Sequence, residues 1–342
     1  MARRRRRPHR PRSRRSLLAV ALCFLGVRCG ESGSAPPAAR ILAESRPPTD
    51  LVYSRVLGPG KRALCVAPAG GGPERRLTDG SASDGLPRWT PDGRAVVFSS
   101  DRSGTLQLWR VSADGGSPTR LRTNACYESQ ADLSPDRRTL AFLSDCGGPQ
   151  SLWLMDLAEG KERLLVRHGR RSVLGNPHWN RDGKRIVFSS NHGVGRQILV
   201  VDVASGDQQR LSSLLAGGCE PRFSPDGRKV VHVTRGHHRP TSRLVETDLA
   251  SGAERTLVEW PALNYNPVYS PDGSELAFAS NLSGEYQVYR VRLSDGKTYR
   301  VTSRPGEARE PDYRPTVRPA VRRSAGLARE SRGEPSPRRA GH

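Results

Sequence analysis

The sequence predicts an all-β fold: a six-bladed β-propeller of four-stranded antiparallel blades. Three observations support this prediction: a repeated phrase, a near-constant spacing between its copies, and short apolar segments separated by turn residues. The phrase is clearest in RFSPDGRKVVHVT at 222–234, and close copies stand at 88–100, 178–190 and 268–280. Self-similarity at a period of about 20–50 residues indicates a repeat architecture.

The spacing is measured between equivalent residues that lie two places before the turn proline, which we call the anchors. Neighbouring anchors are 44 or 46 residues apart. The anchors are Trp89, Leu133, Trp179, Phe223, Tyr269 and Tyr313. Because large, mostly aromatic side chains recur at this regularity, they are predicted to pack between blades rather than to stack on a ligand.

Each repeat unit is interpreted as four short strands. A proline, replaced once by Ala131, stands two residues before the anchor, where a strand can begin without needing that N–H. The following Ser/Thr/Asn-Pro-Asp-Gly phrase suits a type I turn, although Arg181 replaces its proline once and Arg137 its glycine once. Three further strands complete the unit, which is typical of a propeller blade, and no 3.6-residue helical periodicity accompanies them.

The two ends of the repeat region share one blade. Segments resembling second, third and fourth strands lie within 51–78, and EPDYRP at 310–315 supplies the missing first strand. Such a composite blade closes the ring and leaves no free sheet edge. The predicted propeller occupies 41–317, with blades at about 51–78 plus 309–316, 85–123, 127–167, 175–212, 219–258 and 265–303.

The basic charge of the chain lies mostly at its ends. The formal net charge is +22, of which residues 1–40 carry +10 and residues 316–342 carry +5. The central body is therefore only mildly cationic, and we expect no specific nucleic-acid partner, because a DNA-binding body carries its own basic stripe. Residues 318–342, rich in Arg, Pro, Gly and Ser, predict a disordered basic tail. Binding of nucleic acid or an anionic surface through the tails stays a third hypothesis.

Residues 1–40 are predicted to form an export signal and a flexible lead. Nine arginines between Arg3 and Arg15 precede an apolar run at 17–27, which is too short to span a bilayer. SRRSLLA at 13–19 resembles a twin-arginine signal, and Cys29 resembles a lipoprotein acylation site. These features predict a periplasmic or envelope protein, with membrane attachment through a lipid on Cys29; a nuclear-type basic tail is the alternative.

Two of the six cysteines suggest a disulfide. Cys126 and Cys146 lie ten residues on either side of the turn residue Asp136, so an antiparallel hairpin brings them to the same end. A bond there would contribute about 3 kcal/mol in an exported protein. The alternative is two unpaired, small apolar side chains. No CxxC pair, the usual element of a zinc ribbon, occurs in the chain.

The recurring phrase, its apolar strand and the later DG and RLT elements resemble the TolB-like, or WD-like PD-repeat, propellers of bacterial envelopes. The resemblance covers 51–315 and implies the propeller fold and an envelope location. The TolB family has an α/β domain before its propeller, and about twenty residues after the apolar run are too few for that domain. In that family the propeller binds a peptidoglycan-associated lipoprotein, but the resemblance leaves a Tol-system role open.

A ring of polar positions is the best candidate binding site. The residues three places before the anchors are Leu86, Gln130, Asn176, Glu220, Asn266 and Glu310. Because they begin the innermost strands, we expect them to line one mouth of the central channel, with Glu128 and Asn264 two residues further back. Convergent polar groups of this kind suit a peptide, a peptide terminus or a glycan. The alternative is a set of solvated strand ends.

The sequence predicts a monomeric, non-enzymatic protein without a cofactor or metal that binds an envelope protein or peptide. No G-x-S-x-G nucleophile motif occurs, so we expect no hydrolase half like that of prolyl-oligopeptidase-type enzymes. The alternative is a metal-dependent polysaccharide lyase, or another carbohydrate-active enzyme, acting at the propeller mouth. Its candidate ligands, expected instead to be exposed loop or strand residues, are His178, His192, His237 and His238.

Overall fold

The computed structural model describes residues 41–42, 47–193, 195–211, 217–235 and 241–316. These residues form β-strands and turns, and none of them lies in a helix that could cross a lipid bilayer. The predicted export signal with Cys29, the basic tail at 318–342, and the His237–His238 pair lie outside the described residues.

The strands form six antiparallel blades, which confirms the predicted fold, and the innermost strand of each blade is named first. A short β1 (Ile41–Leu42) precedes them. Blade 1 contains β25 (Ala308–Tyr313), β2 (Leu51–Gly58), β3 (Lys61–Ala67) and β4 (Arg75–Arg76). Blade 2 contains β5 (Asp84–Trp89), β6 (Ala95–Ser100), β7 (Gln107–Ser112) and β8 (Thr119–Arg120). Blade 3 contains β9 (Glu128–Leu133), β10 (Thr139–Ser144), β11 (Ser151–Asp156) and β12 (Glu162–Val166).

The remaining three blades follow the same order. Blade 4 contains β13 (Leu174–Trp179), β14 (Arg185–Ser190), β15 (Gln197–Asp202) and β16 (Gln208–Arg210). Blade 5 contains β17 (Cys219–Phe223), β18 (Lys229–Arg235), β19 (Ser242–Asp248) and β20 (Glu254–Val258). Blade 6 contains β21 (Asn264–Tyr269), β22 (Glu275–Ser283), β23 (Glu285–Arg292) and β24 (Thr298–Arg300). β1 adds to blade 6 as a fifth strand, parallel to β24, which the sequence did not predict.

The composite blade closes the ring as predicted. β25 pairs antiparallel with β2, with Tyr313 opposite Leu51. β25 also packs against β21 on one side and β5 on the other, so the first and last blades are neighbours. Just beyond β25, the Arg314 guanidinium forms an ion pair with Asp50 at 2.9 Å. Segments from both ends of the propeller therefore hold the closure.

The repeated Pro-Asp-Gly phrase forms the turn between the first and second strands. In blade 5, the Ser224 hydroxyl donates to Asp226 Oδ1 at 2.6 Å, and Gly227 N donates to Ser224 O at 2.8 Å. The bond from the Ser224 hydroxyl and a second one from Arg228 N, at 3.0 Å, lower the pKa of Asp226 and commit its carboxylate to the turn. Gly227 has a φ of 72°, in the left-handed region that glycine adopts without steric cost. Arg137 occupies the same position in blade 3 with a φ of 65°.

The core lies within and between the blades. The middle of each second strand buries a ring: Tyr53, Phe98, Phe142, Phe188, His232 and Phe278. The anchor Trp89 lies in one apolar cluster with Val52 and Leu64 of blade 1, which confirms inter-blade packing at that position. Burial lowers the pKa of His232 to about 4, and its Nε2 contacts the Thr247 hydroxyl at 3.0 Å. His232 is therefore a neutral core residue at pH 7.

Cys126 and Cys146 form a disulfide in the structure, with their Cα atoms 5.4 Å apart. Cys126 lies just before β9 and Cys146 just after β10, so the bond joins the two ends of one hairpin. The remaining cysteines in the described part of the chain, Cys65 and Cys219, are buried.

Candidate functional site

The six residues three places before the anchors share one backbone conformation, and we call them the left-handed ring. Their φ angles lie between 53° and 60°, a region that residues other than Gly, Asn and Asp seldom adopt. A β-bulge interrupts the pairing of first and second strands at this place in every blade. The ring comprises Leu86, Gln130, Asn176, Glu220, Asn266 and Glu310. The bulge thus repeats six times at the same mouth of the channel.

Three long side chains of the left-handed ring reach across to the next blade. Glu310 Oε2 accepts a hydrogen bond from Leu86 N at 2.6 Å, and Glu220 Oε2 accepts one from Asn266 N at 2.5 Å. Gln130 Oε1 accepts in the same way from Asn176 N. Long and short members therefore alternate around the ring, and every second blade junction is held by a side chain.

A second set of side chains lies one place before the anchors, further from this mouth, and we call it the inner ring. Its members are Arg88, Asp132, His178, Arg222, Val268 and Asp312. The N–H of each anchor points away from its own hairpin, because the next residue makes the ladder bond, as Thr90 N does to Ala95 O at 2.8 Å in blade 2. The anchor N–H therefore faces the side of the strand where the preceding blade lies.

Three inner-ring side chains accept from these anchor N–H groups. Asp312 Oδ2 accepts from Trp89 N at 2.8 Å, and Asp132 Oδ2 accepts from Trp179 N at 2.8 Å. His178 Nδ1 accepts from Phe223 N at 3.2 Å. An acceptor from the preceding blade therefore satisfies a backbone donor that the innermost strand cannot pair in its own sheet.

The electrostatics of the two rings follow from their depth in the propeller. Burial raises the pKa of Asp132 to about 7, of Glu220 to about 7 and of Asp312 to about 6. Burial, together with a smaller effect of the nearby Arg88 charge, lowers the pKa of His178 to about 3. The same Arg88 charge opposes the shift in all three carboxyl groups. One guanidinium thus acts on side chains from four other blades, which locates Arg88 near the channel axis.

The predicted site residues divide into two groups. Gln130, Asn176, Glu220 and Asn266 are partly exposed around the channel mouth. Glu310 is only 6% exposed, and its carboxylate also accepts from the Ser54 hydroxyl at 2.8 Å.

Glu128 does not line the channel mouth. It is 0% exposed, forms an ion pair with Arg122 and accepts from Asn124 Nδ2 at 2.8 Å, so its carboxylate is engaged with the connection that leads into blade 3.

The candidate histidines do not converge. His178 belongs to the inner ring, contrary to the expectation of an exposed residue, while the His192 ring lies 4.7 Å from the His168 ring, centroid to centroid. His168 is itself engaged, through Nδ1 with Ser190 Oγ at 2.8 Å and Nε2 with Gln208 Oε1 at 3.0 Å. Within the described ranges, no three His, Cys, Asp or Glu side chains are placed to share a metal ion.

The comparison with protein families agrees with this architecture. The model of the TolB beta propeller domain matches residues 46–172, 133–238 and 168–322, which together take in most of the chain. The chain belongs to the TolB β-propeller domain family. This confirms the resemblance drawn from the repeated phrase.

Individual members of this family show how far the likeness extends. The Tol-Pal system protein TolB of Bordetella pertussis is 46% identical over 164 residues, which is 47% of this chain and 36% of that protein. Among solved structures, TolB from Acinetobacter baumannii has a TM-score of 0.69 at 20% identity, over 78% of this chain and 67% of that one. A putative TolB from Agrobacterium tumefaciens has a TM-score of 0.60 at 18% identity, over 77% and 91%. These two structures share the fold.

Proposed function

We propose that this protein is an exported, non-enzymatic propeller of the bacterial envelope that binds a protein or peptide partner at the mouth formed by the left-handed ring. The left-handed ring carries this proposal, because bulges in all six blades hold mostly polar side chains at one mouth. A rigid ring of convergent polar groups suits recognition, because little conformational entropy is lost when a partner binds.

Two members of the ring have unused hydrogen-bonding capacity. The side chains of Asn176 and Asn266 make no hydrogen bond to any described residue, and Asn266 Oδ1 is buried without a partner. Their neighbours Gln130 and Glu220 are already engaged with backbone N–H groups. An amide side chain both donates and accepts, so this pair can recognise the backbone of an extended peptide.

The acidic and basic side chains of the channel are engaged in hydrogen bonds between blades, which favours binding over catalysis. Asp132, Asp312 and His178 each accept from a neighbouring blade's backbone, so none is a free general base at the channel wall. The lyase alternative needs histidines grouped on a metal, and His178 directs its Nδ1 at Phe223 N instead.

Two observations support the proposed envelope location. Matched relatives are named as Tol-Pal system proteins, and the Cys126–Cys146 bond suits an oxidising compartment. We further propose monomeric behaviour and a lipid on Cys29. Membrane fractionation of the wild type and of Cys29→Ser tests the lipid: the variant is expected in the soluble fraction, and equal membrane association of both proteins would contradict it.

The test of the proposed function removes the two free amides without straining the backbone. In the double variant Asn176→Gly/Asn266→Gly, glycine adopts the required positive φ, so the fold is kept while the polar side chains are lost. The matched control is Arg137→Gly, which changes a residue of φ 65° at the opposite end of an inner strand.

Affinity capture from an envelope extract of the source bacterium compares these variants with the wild type. We expect the wild type and the control to retain a specific partner and the double variant to lose it. Retention by all three proteins would refute binding at this mouth, and no retention by the wild type would refute partner binding.

A further inference from the structure

Charged side chains are distributed unevenly around the inner ring. On one side of the channel, Arg88 of blade 2 stands between Asp312 of blade 1 and Asp132 of blade 3. On the opposite side, Arg222 of blade 5 stands between His178 of blade 4 and Val268 of blade 6. The first arginine therefore has a carboxyl group on each flank, whereas the second has a neutral imidazole and an apolar side chain.

Arg222 is a buried cation whose donors are mostly unused. It is 5% exposed, and its one hydrogen bond to a described residue runs from Nη1 to the carbonyl of its own neighbour Pro221 at 3.4 Å. A guanidinium has five N–H donors, and burying it without an anion is costly. No carboxylate of the described residues lies within ion-pair distance of Arg222. Among the described residues the guanidinium therefore has no anionic partner, so it is available to an anionic ligand.

The N–H of the next anchor, Tyr269, faces the blade that carries Arg222, because β17 and β21 pack together. Ser270 N donates to Glu275 O at 2.9 Å in the ladder of blade 6, so the N–H of the anchor Tyr269 points away from that hairpin, as at the other anchors. At three other junctions the preceding blade supplies an acceptor for this N–H, but here it supplies Arg222, another donor. No side chain in the described ranges accepts from Tyr269 N. Arg88 and the Leu133 N–H form the equivalent donor pair between blades 2 and 3. Arg88, however, has a carboxyl group on each flank, so only at Arg222 do two donors meet without an inner-ring carboxyl group beside them.

We propose that Arg222 and the Tyr269 N–H form a carboxylate-binding site inside the channel. A carboxylate presents two oxygens in the plane that a guanidinium recognises through paired hydrogen bonds. The source of the carboxylate is an acidic side chain or the C-terminus of a bound peptide, and the probes below distinguish the two.

The path to this site passes the proposed binding mouth. Glu220 and Asn266 of the left-handed ring stand two residues before Arg222 and Val268 on the same two strands. A peptide held by the mouth can therefore extend one carboxylate down to Arg222. The biological occupant rests on the proposed function, but the site itself can be tested without the partner.

The binding test uses three short peptides with the full chain in isothermal titration calorimetry. Ac-Gly-Gly-Gly with a free C-terminus presents a terminal carboxylate, Ac-Gly-Asp-Gly-amide presents a side-chain carboxylate, and Ac-Gly-Asn-Gly-amide is the neutral control. We expect one or both carboxylate probes to bind and the neutral peptide not to bind. Binding of all three with equal affinity, or of none, would overturn the proposal.

Variants locate the binding. Arg222→Gln is expected to lower probe affinity by at least about tenfold, because it removes the charge-assisted hydrogen bonds. Arg228→Gln, in the exposed turn of the same blade, is the matched control and should leave affinity unchanged. Val268→Asp keeps Arg222 but places a carboxylate at the position that Asp132 and Asp312 hold in their blades, so it should also abolish binding. Undiminished binding by a folded Arg222→Gln or Val268→Asp variant would overturn the site.

Failure of this inference can be separated from failure of the proposed function. If Arg222→Gln loses the probes yet captures the partner as the wild type does, the peptide carboxylate is refuted as occupant while partner binding stands. If the probes bind through Arg222 and the Asn176→Gly/Asn266→Gly variant still captures normally, the mouth is refuted while the carboxylate site stands.

Discussion

Removal of the last inner strand tests how the ring is closed. A chain that ends at Arg309 loses Glu310, Asp312 and Tyr313, whereas a chain that ends at Val317 keeps all three. Tyr313 is 4% exposed, and loss of a buried aromatic side chain costs about 3–5 kcal/mol. The bonds from Glu310 to Leu86 N and from Asp312 to Trp89 N contribute about 1.5–3 kcal/mol each if their acceptors are charged.

These losses are comparable with the whole stability of a domain, which is about 5–15 kcal/mol. Urea unfolding, followed by circular dichroism and tryptophan fluorescence, gives the free energy of unfolding of the two truncated chains and the full chain. We expect the chain ending at Val317 to match the full chain and the chain ending at Arg309 to be barely folded. Equal unfolding midpoints for the two truncations would refute closure by a composite blade.

Three further predictions concern stability. Asp132 has a native pKa of about 7 against an ordinary 3.8, so the native state binds its proton more tightly than the unfolded chain. The contribution of this protonation to the free energy of unfolding is complete below pH 4 and is lost as the pH rises to about 7. Asp132→Asn should therefore make the free energy of unfolding less dependent on pH in that range. An unchanged pH profile would contradict this. Cys126→Ser should lower stability by about 3 kcal/mol for the closed loop, measured by urea unfolding, whereas reaction of every cysteine in the denatured, unreduced protein would show that no bond exists. In thermal unfolding, Leu86→Gly should leave stability unchanged or raise it, whereas Leu86→Val should cost about 1–2 kcal/mol, because β-branched residues tolerate a positive φ poorly. The reverse order of stability would contradict the role of the positive φ.

The blade count was predictable because its signals are local. Turn prolines, the Asp that caps each turn and the regular anchor spacing act within one hairpin, so they are readable without tertiary information. The short β1 was not predictable, since its two residues carry no strand signal of their own and pair only with the outer strand of blade 6.

The left-handed ring was located by its polarity but not by its conformation. Leu86 has the same positive φ as Asn176, although leucine has no intrinsic preference for it. The bulge and the packing of neighbouring blades impose this geometry, and the bridging role of Glu220 depends on a backbone N–H 46 residues away.

The inner ring was missed because Arg88, His178 and Arg222 resemble the solvent-facing half of an alternating strand. Ring closure places that face in the channel instead. Polar residues at one phase of five of the six repeats were the available signal. Comparing that phase across the blades would have shown that His178 stands where other copies carry Asp132 and Asp312.

Site-specific photo-crosslinking in the living source bacterium tests partner binding at the left-handed ring most directly. A benzophenone amino acid replaces Leu86, the apolar member of the left-handed ring, or Arg137 at the opposite end as the matched position, so that Asn176 and Asn266 are kept. We expect a discrete envelope protein to be crosslinked from position 86 and not from position 137. Crosslinking from position 137 alone, or equally from both positions, would contradict the proposed mouth.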